Sequence, residues 1–229
     1  MKVSLLFPPT WHPSQPYLSL PSLTGFLAQA GVTNVSQQDL GIELLDKILT
    51  QSFAHGVYQQ LVAKRRELEQ VRTGEAGAGS AEHLARVVES LDRFPYLFER
   101  IELAKETLRG EGFYDLEAYR NSLFLIDKWL EVFSSIYFPT RMTVVDNQFG
   151  DYSIYSSKDL IKVIRDEAQN PYINLFREQM LPSILTDRPD LVGVSITATS
   201  QIIPGLTLCR LIKEQAPDVH VTVGGSIFT

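Results

Sequence analysis

The stretch that decides the fold is Val3-Ser4-Leu5-Leu6-Phe7, which Pro8-Pro9 follows directly. A short apolar run closed by two prolines is typical of a buried strand in a parallel sheet rather than of an amphipathic helix. Residues 8–19 contain four prolines and no helical stripe, so they predict an extended loop. A loop of this length between a strand and a helix is usually functional.

The residues after this loop complete one parallel crossover unit. Ser19, with Pro21 in the first turn, predicts the start of a helix, and Gly31 predicts its end. Residues 32–40 then predict a second strand that ends at Asp39. The first forty residues therefore read as strand, helix, strand.

The same pattern returns near the other end of the chain. Residues 191–196 predict a strand, residues 204–215 a helix, and residues 220–223 a strand that ends in Gly224-Gly225. Right-handed crossovers place all four strands in one parallel sheet with helices on both faces. The predicted fold class is therefore α/β, with a doubly wound parallel sheet.

Residues 42–187 predict a mainly helical insertion into a Rossmann-type domain formed by residues 1–41 and 188–229. Within the insertion, residues 74–80 are small and predict a surface loop, and residues 143–155 predict a short hairpin around residues 147–151. The insertion should bury Trp129, and its clearest helical stripe consists of Leu123, Ile126, Leu130, Phe133 and Tyr137.

Composition excludes several classes of function. The 229 residues carry a net charge of -6, so no basic field attracts nucleic acid. A single cysteine, Cys209, excludes a disulfide framework and favours a reducing, cytoplasmic compartment. No apolar run approaches the length of a membrane span, and no nucleophile, base and acid stand in a catalytic motif.

Four segments meet at the carboxyl edge of the predicted sheet, where open α/β sheets bind ligands. They are the loop at 8–17, the strand end at Asp39, the loop at 197–203 and the turn at 224–226. The paired glycines Gly224-Gly225 allow backbone N–H groups to approach a ligand, and a simple tight turn is the alternative explanation.

These segments together resemble the cobalamin-binding domain of the methionine synthase type, and more closely the version that precedes the catalytic domain in cobalamin-dependent radical S-adenosylmethionine enzymes. The resemblance covers roughly the first 40 and the last 42 residues. It implies a flavodoxin-like strand order 2-1-3-4 with the fifth strand absent. The matching residues are Pro8-Pro9, Pro16-Tyr17-Leu18-Ser19-Leu20, Gly31, Pro189 to Ser195, Ser200-Gln201, Pro204 and Val223-Gly224-Gly225.

The resemblance also implies where cobalamin binds. The corrin ring would lie on the carboxyl edge, and its nucleotide tail would enter a slot beside the strands. Ser195, Thr197, Ser200 and Gln201 would line this slot, and Gly224 and Gly225 would flank it. Hydroxyl and amide groups can satisfy a buried benzimidazole and phosphate. For Ser195 and Thr197, ordinary strand packing remains the alternative.

The sequence departs from the methionine synthase pattern at the cobalt ligand. It has no Asp-x-His-x-x-Gly motif after the first strand, and Asp218-Val219-His220 lies at the wrong end of a strand. His12 is in the correct loop to reach cobalt, but a loop histidine bonded to the backbone is the favoured explanation. The radical branch often lacks the lower histidine, and in that case Trp11 or Tyr17 below the ring would keep water from cobalt. For Trp11, a hydrophobic anchor of the loop is the alternative.

The chain cannot form the iron–sulfur cluster of a radical S-adenosylmethionine enzyme, because the cluster motif Cys-x-x-x-Cys-x-x-Cys needs three cysteines. We therefore expect an N-terminal region that binds cobalamin and whose partner is its own C-terminal radical domain, which would hold S-adenosylmethionine and [4Fe-4S]. The complete enzyme would be a candidate methyltransferase. Two alternatives are a cofactor-free interaction module, with the helical insertion as its binding surface, and a sensor domain for a corrinoid or nucleotide.

Overall fold

The computed structural model describes residues 1–72 and 78–228. The fold is α/β, and a four-stranded parallel sheet has the strand order β2-β1-β5-β6. The predicted sheet and its order are confirmed. The strands are β1 (Val3–Phe7), β2 (Val35–Asp39), β3 (Arg141–Met142), β4 (Asn147–Gln148), β5 (Leu191–Ser195) and β6 (His220–Gly224).

Helices make up most of the remaining described chain. None of those in residues 1–72 and 78–228 has an apolar stretch long enough to span a bilayer. The α-helices are α1 (Ser19–Gln29), α2 (Leu40–Ile48), α3 (Gln51–Arg72), α4 (Ala78–Phe98), α5 (Ile101–Arg109), α6 (Leu116–Ser134), α7 (Ser157–Val163), α8 (Pro171–Leu175), α9 (Leu181–Thr186) and α10 (Ile202–Gln215).

Strand β1 lies at the centre of the sheet, and all five of its residues are buried. This burial explains its continuous apolar sequence, because both faces of a central parallel strand are covered. Helix α1 packs on the face that carries Val3 and Leu5, and Leu20 belongs to the same buried cluster. Strand β6, at one edge, is mostly exposed.

The chain divides into two compact units, and the sheet-containing unit is formed by residues 1–45 together with the chain from Asp151 onward. The sequence-based boundaries were residues 42 and 187, so the structure places residues 151–187 with the sheet. The buried side chain of Asn170 accounts for this placement, because it donates to the Val163 carbonyl and to Thr207 Oγ1 on α10.

The second unit, Asp46–Gly150, is built mainly from α3 to α6. Trp129 is fully buried in it, as predicted, and its indole N–H donates to the Ile48 carbonyl at 3.1 Å. Strands β3 and β4 form an antiparallel hairpin whose turn spans residues 143–146, earlier than predicted. Of the loop predicted at residues 74–80, the first four residues lie outside the described residues, and the remaining three belong to α4.

Candidate functional site

An open groove with a volume of about 1030 Å³ lies on the α1 side of the sheet and reaches its carboxyl edge. Its floor consists of alternate residues of three adjacent strands, because alternate side chains of a strand face the same side. The register aligns Leu5 with Gly193 and Gly193 with Thr222, and it aligns Ser195 with Gly224. The floor residues are Val3, Leu5, Leu191, Gly193, Ser195, Thr222 and Gly224.

Gly193 gives the groove its depth at the centre of the floor. A Cβ atom at this position would lie 3.0 Å from Leu5 Cδ2, and it would point into the space that the groove occupies. The sequence analysis did not select Gly193. A glycine inside an otherwise apolar strand was the available signal, because such a glycine often marks a close approach by a ligand or another backbone.

Helix α1 and the residues before it form one wall of the groove. Leu23, Phe26 and Leu27 contribute apolar surface, and Ser19 and Ser22 contribute hydroxyl groups. Among the described lining residues no side chain is charged at neutral pH. The groove is therefore suited to a largely apolar group that carries at most one charge and whose few polar atoms meet hydroxyls.

The two glycines after β6 differ in what they contribute. Gly225 has a φ of +121°, and a Cβ atom there would lie 2.0 Å from the Ile196 carbonyl oxygen, so this position excludes any side chain. Gly224 does not have a positive φ, and a Cβ atom there would have nothing within 4 Å. The turn requires Gly225, whereas Gly224 leaves open space at the groove.

The structure brings five of the predicted site residues to the groove: Tyr17, Ser195, Thr197, Gly224 and Gly225. Ser195 is 5% exposed and stands on the floor next to Gly224. Thr197 follows β5, and its carbonyl accepts a hydrogen bond from Ser226 Oγ at 3.2 Å. The predicted edge of the sheet therefore carries one continuous site, formed by the ends of β5 and β6 and the start of α1.

Ser200 and Gln201 do not line the groove, although both were predicted to do so. Ser200 Oγ donates to the Thr10 carbonyl at 3.1 Å. The Gln201 side chain is fully buried, and its amide bonds to backbone groups of the loops that follow β1 and β5. Gln201 immediately precedes α10, and its side chain enters the space between the two loops instead of the groove.

Trp11, His12 and Tyr17 are all in the loop after β1, but they contribute differently. Tyr17 stacks on Phe7 with ring centroids 5.4 Å apart, and Trp11 packs edge-on against both rings. Trp11 and His12 are not among the groove-lining residues. His12 Nδ1 lies 2.9 Å from Ser14 Oγ, and the Trp11 indole N–H donates to the Gln15 carbonyl.

Asp39 ends β2 at the same edge, where its carboxylate accepts hydrogen bonds from the backbone N–H groups of Gly41 and Ile42 at 3.0 and 3.1 Å. The carboxylate thus caps the start of α2. Burial raises the pKa of Asp39, and the two backbone hydrogen bonds lower it by less. Asp39 is accordingly a structural group that supports the loop edge, and it is not among the groove-lining residues.

No protein-family model matches this chain, and neither a curated protein nor a solved structure is significantly similar to it. The fold defines a class, a parallel α/β protein with a helical insertion between its second and third sheet strands. Any statement about its ligand therefore depends on the chemistry of the groove.

Proposed function

We propose that the sheet-containing unit binds cobalamin, with the nucleotide tail in the groove and the corrin ring on the carboxyl edge. The observation that carries the proposal is the convergence of Tyr17, Ser195, Thr197, Gly224 and Gly225 on one groove at that edge. The sequence alone indicates each of these residues as a cobalamin contact. Their proximity is what a cobalamin-binding domain requires.

The lining of the groove fits the tail of cobalamin. The benzimidazole is a flat, apolar ring, and the groove offers an apolar floor deepened at Gly193. The phosphate would find hydroxyl donors on Ser19 and Ser195, and a ribose hydroxyl would donate to Thr197 Oγ1, whose own proton is donated to Gln201. A free nucleoside diphosphate would fit less well, because cationic side chains are absent from the described lining.

The proposal extends to a longer enzyme. Bound methylcobalamin would supply a methyl group, and a separate radical domain would hold S-adenosylmethionine and the [4Fe-4S] cluster in the cytoplasm. The residues of this chain would bind and orient the cofactor. The aromatic cluster of Phe7, Trp11 and Tyr17 would keep water from the edge beneath the ring.

Anaerobic titration with hydroxocobalamin, followed by equilibrium dialysis and visible spectra, tests the proposal. The groove is open, so we expect a Kd of about 1 µM or weaker rather than about 1 nM. Gly224→Val should abolish binding, because its side chain would enter the open space at the groove, where a Cβ atom would have nothing within 4 Å. Cys209→Ala, which lies outside the groove, is the matched control.

A cofactor-free interaction module is the second candidate, and the exposed apolar residues beside the groove favour it. Leu18 and Phe26 are 71% and 67% exposed, and contiguous exposed apolar surface often marks a protein contact. This function becomes the better explanation if folded Gly224→Val binds hydroxocobalamin as well as the parent protein, or if neither binds it.

A further inference from the structure

Gln201 is unusual because a polar side chain is fully buried between two loops. Its Oε1 atom accepts hydrogen bonds from the backbone N–H groups of Thr197 and Ala198 at 2.9 and 3.2 Å. The Thr197 hydroxyl also donates to this oxygen, at 3.0 Å. On the other side, Gln201 Nε2 donates to the Pro8 carbonyl at 2.6 Å.

These hydrogen bonds connect the loop after β1 to the loop after β5. One further hydrogen bond stabilises the same contact, and another holds the first loop to α8. Ser200 Oγ donates to the Thr10 carbonyl, and the hydroxyls of Thr10 and Tyr172 lie 3.0 Å apart in the buried interior. Since buried backbone groups are costly to leave without partners, the loops should hold this arrangement only while Gln201 satisfies them.

The connection continues from Gln201 to the groove itself. Thr197, whose N–H and hydroxyl Gln201 holds, lines the groove and accepts a hydrogen bond from Ser226. The turn that contains Ser226 follows Gly225, which lies against the backbone of Ile196. One side chain outside the groove thus orients residues on its rim.

We infer that Gln201 is a positioning residue that fixes the rim of the groove by holding two loops together, and that it does not contact the ligand. This role concerns the shape of the groove and rests on the proposed function only for the identity of the ligand. Removing the amide should allow the two loops to separate, which would reduce the fraction of molecules with a binding-competent groove.

Gln201→Met tests this role, because methionine has a similar size and no strong hydrogen-bonding groups. Gln38→Met is the matched control, since Gln38 is a partly buried glutamine of β2 whose Oε1 has no hydrogen-bond partner among the described residues. Acrylamide quenching of tryptophan fluorescence reports mainly on Trp11 in the first loop, because Trp129 is fully buried.

We expect Gln201→Met to increase acrylamide quenching and to speed amide exchange at residues 197–198 by at least about tenfold. Gln38→Met should leave both unchanged. If the parent binds hydroxocobalamin, Gln201→Met should weaken binding by at least about tenfold. Failure of the parent to bind would count against the proposed function alone, since quenching and exchange still decide the role of Gln201.

Two results would overturn the inference. The first is unchanged quenching and exchange in folded Gln201→Met, and the second is lost binding without any change in the loops, which would indicate direct contact with the ligand. If Gln201→Met does not fold, Ser200→Ala is measured in its place, because it removes from the contact between the loops only the hydrogen bond to the Thr10 carbonyl. It should increase quenching by a smaller amount, and no increase would overturn the inference.

Discussion

Replacement of Asn170 by alanine should strongly destabilise the sheet-containing unit. The Asn170 side chain is fully buried and makes three hydrogen bonds. Its Oδ1 accepts from the Tyr172 N–H at 3.1 Å and so caps α8, while Nδ2 donates to the Val163 carbonyl at 3.0 Å and to Thr207 Oγ1 at 2.9 Å. The residue therefore connects α8 to the end of α7 and to α10.

The expected loss can be worked out from these partners. Each hydrogen bond contributes about 1 kcal/mol net, so three contribute about 3 kcal/mol. The loss should rise toward about 5 kcal/mol, because the Tyr172 N–H and the Val163 carbonyl would remain without their partner and a small cavity would form. Thr207 is affected less, because its hydroxyl still donates to the Ile203 carbonyl.

Urea unfolding combined with hydrogen–deuterium exchange of peptides from α10 and α6 measures the two units separately. Asn174→Ala is the control, because Asn174 lies in α8, which Asn170 caps, and its side chain accepts an exposed hydrogen bond from Arg177. It should cost no more than about 0.5 kcal/mol. A loss below about 1 kcal/mol for Asn170→Ala, or equal losses for the two variants, would refute the reasoning.

Three further predictions follow from other residues. Burial raises the pKa of Asp39, so the folded state binds this proton more tightly than the unfolded state, and the unfolding free energy falls as pH rises through the raised pKa. Asp39→Asn keeps a capping oxygen but cannot ionise. In thermal melts its stability relative to the parent should therefore increase from acidic to neutral pH, and a stability difference that shrinks as pH rises would contradict this. Burial raises the pKa of the Cys209 thiol to about 12, so only about one thiol in ten thousand is ionised at pH 8. Iodoacetamide should therefore react with the folded protein far more slowly than with the protein unfolded in urea. Equal rates would exclude a buried thiol. Gly225→Ala should cost at least about 1 kcal/mol more than Gly224→Ala in urea unfolding, because only its Cβ would collide with Ile196, and equal costs would show that the turn adapts freely.

The sequence predicted β1, β5 and β6 well because these three strands are short, largely apolar runs with proline or glycine at or near their ends. It could not predict that residues 151–187 belong to the sheet-containing unit. Asn170 contributes to that assignment through its hydrogen bond to Thr207 on α10, which is 37 residues away in the sequence. Helical periodicity alone identifies helices and not the unit against which they pack.

The sequence predicted the proximity of those residues whose place along a strand fixes their position. Ser195 and Gly224 end adjacent parallel strands, so their proximity follows from topology. Gln201 was predicted to line the groove but faces away from it, because the direction of a side chain after a strand depends on the loop conformation. The sequence analysis missed Gly193 because this residue deepens the groove only by lacking a side chain.

Comparison of cobalamin with cobinamide, which has the corrin ring but lacks the nucleotide tail, tests the central claim most directly. Both affinities are measured by equilibrium dialysis on the same protein and on Gly224→Val. The proposed tail site predicts that the parent binds cobalamin at least about tenfold more tightly than cobinamide, and that Gly224→Val, which abolishes cobalamin binding, leaves cobalamin with no such advantage. Equal affinities for the two corrinoids in the parent would contradict the claim that the groove holds the tail.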